Sequence, residues 1–231
     1  MKTLRTKSGP FAERPHFRRV EIDRMCLEEL RALKLLPNEP SPIRIDRFIE
    51  KRFRSPRYEE MPEGILGFTK FGPNGVTDIV IAAHLDADSS PVARRRLRST
   101  MAHEAGHGLL HTYLFAAGTK PASLFGDTDV RPHILCRDVD GEQKGKGYDG
   151  RWWEFQANLA IGGLLLPRAL VEKATTPYLS EVGILGTRQL PDEQRSKAAV
   201  ALADIFDVNP AVVRIRLEDL FPLNTSGQLS F

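Results

Sequence analysis

Three features of the 231-residue chain predict an α+β fold: alternating, β-branched segments on either side of "GPNG" at 72–75, a proline-free helical stretch from Pro91 to about residue 115, and two amphipathic segments near the C-terminus separated by a tight turn. Together they predict a small β-sheet packed beside one long helix and followed by a helical C-terminal subdomain. With 41% hydrophobic residues, the chain has enough apolar surface for a proper core.

The first 24 residues carry Lys2, Arg5, Lys7, Arg14, Arg18, Arg19 and Arg24 against three acids, and residues 1–19 are expected to form a solvated basic tail. Val20, Ile22, Met25, Leu27, Leu30, Leu33 and Leu36 recur at helical spacing until "LPNEPSP" stops the pattern. A second short helix is expected in "IRIDRFIEKRF". "EGILGFTKF" and "VTDIVIAA" read as a hairpin, the second strand running from about Thr77 to Ala83 and offering an edge on which an extended peptide could pair.

Ser90 is placed to cap the long helix, with Pro91 at its first position. From Gly118 to Gly150 the chain is rich in Gly, Pro and Asp, with one strand candidate at "HILC"; the segment reads as a lid or an insertion. "WWEFQANLAIGGLLL" resumes helical character up to Pro167, with Trp152 and Trp153 as core anchors. The C-terminal pair follows in "DEQRSKAAVALADIFDVNPAVVRIRLEDL", Asn209 and Pro210 opening its second helix. The expected organisation is a tail (1–19), a main α+β domain (20–190) and a helix-turn-helix-like pair (191–231).

Composition narrows the partners. A net charge of +3 does not demand a nucleic acid, no window is apolar for long enough to span a membrane, and the N-terminus lacks an apolar signal region, so a cytoplasmic protein is expected. The only cysteines, Cys26 and Cys136, are read as free thiols.

The chemistry concentrates in "STMAHEAGHGLLH", residues 99–111. Histidines four apart on a helix lie about 40° apart around its axis, so His103 and His107 can aim at one point. Glu104 is placed to take a proton from metal-activated water, which is the mechanical content of H-E-x-x-H. Gly106 and Gly108 each cost a helix interior about 1 kcal/mol relative to Ala, a cost that points to close packing.

A catalytic zinc commonly takes three protein ligands. Tyr113 and Leu110 stand where the metzincin pattern requires His and Gly, which excludes that subclass. His111 continues around the helix and is read as a buried hydrogen-bonding partner of the ligands. Glu154, opening a separate helix, is the better third ligand, with Asn158 one turn on as a donor that orients its carboxylate. Residues weighed for steadying an oxyanion are His84, His111, Tyr148 and several arginines.

"HEAGHGLLH" followed by "EFQANLAIGGLLLP" resembles the signature of the ImmA/IrrE family of bacterial metallopeptidases: a His-Glu-x-x-His helix, then a helix with Glu-x-x-Ala-Asn and a Leu-Leu-x-Pro ending, here Glu154, Ala157, Asn158, Leu164, Leu165 and Pro167. The resemblance implies a gluzincin-like domain binding Zn2+ on His103, His107 and Glu154, with Glu104 as general base. It also implies a regulatory endopeptidase whose partner is a helix-turn-helix transcriptional repressor. The rival expectation is a non-catalytic, zinc-stabilised regulator that binds DNA or a repressor. In the C-terminal pair Arg214 and Arg216 would be the nucleic-acid contacts, but two arginines followed by Glu218 and Asp219 are a thin electrostatic footprint, and the pair is expected instead to pack on the peptidase or dock a protein.

Overall fold

The computed structural model describes residues 3–5, 13–15, 17–116, 133–137, 152–182 and 187–222. Over these the elements run in chain order: β1 (Thr3–Arg5), β2 (Glu13–Pro15), α1 (Arg19–Ala32), α2 (Ile45–Arg52), β3 (Arg57–Glu59), β4 (Ile65–Gly72), β5 (Gly75–Ala82), α3 (His84–Ala87) and α4 (Pro91–Ala116). After these come β6 (His133–Arg137), α5 (Trp152–Leu165), α6 (Arg168–Thr175), β7 (Ser180–Val182), β8 (Thr187–Gln189), α7 (Asp192–Phe206) and α8 (Pro210–Leu220). The mixture of helices and small sheets is the α+β class the sequence predicts. No helix among the described residues is long and apolar enough to cross a membrane.

The main sheet has the order β3-β5-β4-β6, with β3 parallel to β5 and the other neighbours antiparallel. Pro73 and Asn74 turn the β4–β5 hairpin, and Gly75 closes it at φ 114°, a conformation side chains disfavour. One expectation fails here. The strand expected near 77–83 does not offer a free edge over its C-terminal half, because β3 pairs with Val80, Ile81 and Ala82. β3 is too short and too charged to show periodicity, so its pairing was not visible in sequence.

Two further departures have local causes. Helix α1 stops at Ala32 rather than near Leu36, because Lys34 turns left-handed at φ 56° and Leu35 N–H closes back on the Leu30 carbonyl; Leu33, Leu35 and Leu36 still pack on the core from outside the helix. Part of the expected basic tail forms an antiparallel ladder, Thr3–Arg5 against Glu13–Pro15.

Helix α4 lies across β4 and β5, and α5 packs against α4 on one side and α1 on the other. Close approach is built from small residues. A Cβ on Gly106 would stand 2.8 Å from Ala160 Cβ, one on Gly108 2.7 Å from the Phe53 ring, and one on Gly163 2.9 Å from Cys26 Sγ. Helices α7 and α8 contribute Leu202, Phe206, Val213 and Leu217 to the same buried cluster that holds Leu110 of α4 and Leu164 of α5. Cys26 is fully buried, and burial together with nearby Asp23 pushes its thiol up to about 12, so it is an inert packing group. Trp152 and Trp153 are buried against Phe71, as expected of anchors.

Candidate metal centre

The helix that carries the histidines starts where its capping residues dictate. Ala93 N–H donates to Ser90 Oγ at 3.2 Å, and Asp88 holds Ser90 through its backbone N–H at 2.8 Å. Three turns later α4 passes from surface to core: Thr100 through Gly108 are buried without a break. His103, His107 and His111 recur at four-residue spacing and therefore line one stripe of the helix. That stripe faces the N-terminal turns of α5, where Glu154, Gln156 and Asn158 stand.

His103 Nε2 lies 2.9 Å from His107 Nε2 and 3.1 Å from Glu154 Oε2, and His107 Nε2 lies 3.7 Å from Glu154 Oε1. One ligand atom from each of the three residues falls within 4.8 Å of the others, a group that could hold a metal ion. The donor set fits zinc: tetrahedral coordination at 2.0–2.1 Å sets ligand atoms about 3.3 Å apart, close to these separations. Two neutral imidazoles and a carboxylate are also borderline-soft and hard donors of the kind zinc accepts.

The surroundings hold the ligands in a ligating state. Burial lowers the pKa of His107, so its imidazole stays neutral. Burial acts on Glu154 to raise it, and His107 and His103, whenever either ring carries a proton toward it, hold the carboxyl below its usual range; with both rings neutral the carboxylate faces two lone pairs. His111, fully buried beside His107, is lowered further still. Exposure rises in one direction across the group: the His107 side chain is 0% exposed, His103 5% and Glu154 20%, and Asn158 is at the surface. Among the described residues, the centre opens on the Asn158 side and is closed behind His107.

Glu104 is wholly buried, and the sheet sets its position. Thr69 Oγ1 lies 2.6 Å from Glu104 Oε2 and 3.0 Å from the Glu104 carbonyl, and a Cβ on Gly67 would come within 3.3 Å of the Glu104 side chain. Gly67, Thr69 and Phe71 alternate along the buried face of β4, so one strand both makes room for this carboxylate and holds it.

Not every role matches the sequence reading. Asn158 does not orient Glu154 directly: its Oδ1 accepts from His103 Nδ1–H at 3.0 Å, because one turn along α5 carries it past the carboxylate to the far side of the imidazole. His111 is the buried hydrogen-bonding residue expected, with its two ring nitrogens at 3.0 Å from His107 Nδ1 and 3.1 Å from Gln156 Oε1. That placement removes it from the oxyanion candidates. Tyr148 and the side chain of Cys136 lie outside the described residues, and His84 opens α3 at the end of the sheet. Arg216 is not a nucleic-acid contact: it is 5% exposed, donates to the Leu166 carbonyl at 3.1 Å and pairs with Asp23 at 2.9 Å, while Arg214 beside it is exposed.

Sequence reasoning missed Thr69 and Gln156. A threonine on the buried face of an alternating strand was the available signal for the first. The second had none beyond its position between Glu154 and Asn158. No family model matches the chain, and no curated protein matches it at a significant level.

Proposed function

We propose that the protein is a zinc-dependent endopeptidase of gluzincin-like build that cleaves a protein substrate in the cytoplasm. The observation that carries this reading is the convergence of His103 Nε2, His107 Nε2 and the Glu154 carboxylate at 2.9–3.7 Å, with the carboxylate of Glu104 on the next residue of the same helix. A purely structural metal site has no use for that additional buried acid.

His103, His107 and Glu154 would hold a zinc ion, which when bound would supply Lewis-acid polarisation of a peptide carbonyl and a water acidic near neutral pH. Glu104 accepts the proton of the attacking water and passes it to the departing amine as the C–N bond breaks, leaving a new carboxyl and a new amino terminus. The Thr69 hydroxyl fixes Glu104 Oε2 at 2.6 Å, so the base does not swing between rotamers. Asn158 fixes the ring of His103.

The resemblance of "HEAGHGLLH" and "EFQAN" to ImmA/IrrE peptidases supports a helix-turn-helix repressor as the substrate. The test is co-expression with candidate repressors, preferably one encoded nearby, comparing the protein with Glu104→Gln and measuring bound metal in both. The expected result is cleavage by the unaltered protein alone, with about one zinc per chain in each. Zinc in both with cleavage by neither would favour a binding protein, and absence of stoichiometric metal would overturn the site.

A further inference from the structure

We propose that Gln156, acting through His111, decides which nitrogen of His107 carries its proton and so makes Nε2 of His107 available as a ligand. The proton placement stands on hydrogen-bond geometry; its consequence for metal rests on the reading above.

Three side chains form a line leading away from the centre: His107 Nδ1 to His111 Nδ1 at 3.0 Å, then His111 Nε2 to Gln156 Oε1 at 3.1 Å. All three are buried, at 0%, 0% and 6% exposure. An amide oxygen has no hydrogen to give, so His111 Nε2 must be the donor to Gln156. A neutral imidazole carries one N–H, which leaves His111 Nδ1 as an acceptor. The 3.0 Å contact then requires His107 to donate from Nδ1, and its Nε2 is left with a lone pair directed at His103 Nε2 and Glu154.

The opposite polarity shows why the far end matters. If an N–H donor faced His111 Nε2, His111 would donate from Nδ1, His107 would accept there, and His107 Nε2 would carry the hydrogen. That atom could not ligate. Trp152, edge-on to the His111 ring at 5.5 Å between centroids, limits the ring's freedom to turn away.

Helix α5 thus serves both histidine ligands with an amide oxygen, Asn158 directly to His103 and Gln156 to His107 through one intervening ring. Glu154, Gln156 and Asn158 at alternate positions form one device: a ligand flanked by two acceptors that set the tautomers of the other two.

The test reads the proton directly. In metal-free protein with 15N-labelled histidine, long-range 1H–15N correlation distinguishes the two tautomers. The expected pattern is Nδ1–H for His107 and Nε2–H for His111. Zinc affinity, measured by chelator competition, is expected to weaken about 10- to 100-fold in Gln156→Leu and to stay within about threefold in Gln156→Glu, which keeps an acceptor oxygen. A proton on Nε2 of His107 in the unaltered protein overturns the proposal, as does a folded Gln156→Leu with unchanged tautomers and affinity. If Gln156→Leu does not fold, the unaltered protein and Gln156→Glu still decide the question. The expected tautomers in a protein that binds no zinc would support the proton placement and reject the metal centre.

Discussion

The two halves of α4 carry polar side chains at similar helical spacing and use them in opposite ways. In the N-terminal half, Arg94 Nη2 and Nε meet Asp207 Oδ1 and Oδ2 at 2.9 and 3.0 Å, Arg95 Nη2 meets Asp204 at 2.7 Å, and Arg98 donates to the carbonyls of Asp207 and Ile43 at 2.9 Å each. Every one of these contacts joins a donor to an acceptor, and the turn before α8 is clamped to the helix. In the C-terminal half, with the imidazole protons turned outward, lone pairs of two rings converge on a carboxylate. A cluster of opposite signs is complete in itself; a cluster of lone pairs is completed by a cation. The difference separates a structural network from a candidate metal centre on one helix.

The sharpest way to break the comparison is to remove one member from each half. His107→Ala is expected to abolish stoichiometric zinc binding, whereas Asp207→Asn should leave it unchanged; metal analysis after dialysis against a weak chelator reads both. Thermal unfolding gives a second readout, because zinc at about 100 times its Kd should add about 2.7 kcal/mol to the unaltered protein and nothing to His107→Ala. Next in size is the support of Glu104. Thr69→Val deletes the hydroxyl and is expected to lower kcat about tenfold or more with KM and bound zinc little changed, and Thr69→Ser should restore most of the rate. Loss of zinc in Thr69→Val would assign the hydroxyl to holding the fold together instead.

The same contrast explains what was legible in the sequence. His103 and His107 could be found because ligand spacing on a helix is a local property, Glu154 because it opens a separate helix in "EFQAN", a stretch with a recognisable resemblance, and Ser90, Pro91, Asn209 and Pro210 because capping is local too. The packing role of Arg216 itself was not legible, because its partners, Asp23 and the Leu166 carbonyl, come from distant segments, and nothing local distinguishes a buried arginine from an exposed one. Gln156 and β3 escaped for the same reason: each acquires its role from a neighbour brought by tertiary packing. Gly106 is the intermediate case, visible as an anomaly in a helix and explained only by α5. Gly106→Ala places a methyl 2.8 Å from Ala160 Cβ and 3.2 Å from the Ala157 carbonyl, and should destabilise by about 1–2 kcal/mol after its gain in helix propensity. Urea denaturation checks this, and because the two helices carry the ligands, zinc affinity should fall with it.

The smallest expected effect belongs to the charged half. The hydrogen bond from Arg94 holds Asp207 below the usual carboxyl range, burial opposes this, and Arg95 and Arg98 add to it. A carboxyl whose folded pKa is depressed stabilises the fold fully above its unfolded value, about 3.9, and loses that contribution as pH falls from there through the folded value. Asp207→Asn keeps a residue that tolerates the left-handed φ of 50° while removing the charge. Its cost should be about 1 kcal/mol, since Arg94 is half exposed and screened by solvent. In urea titrations of metal-free protein, that difference should hold at pH 6–7, shrink in 0.5 M salt and close toward pH 3. A difference that persisted at pH 3 would show that the clamp acts through the shape of the turn, and the two halves of α4 would then differ in geometry more than in charge.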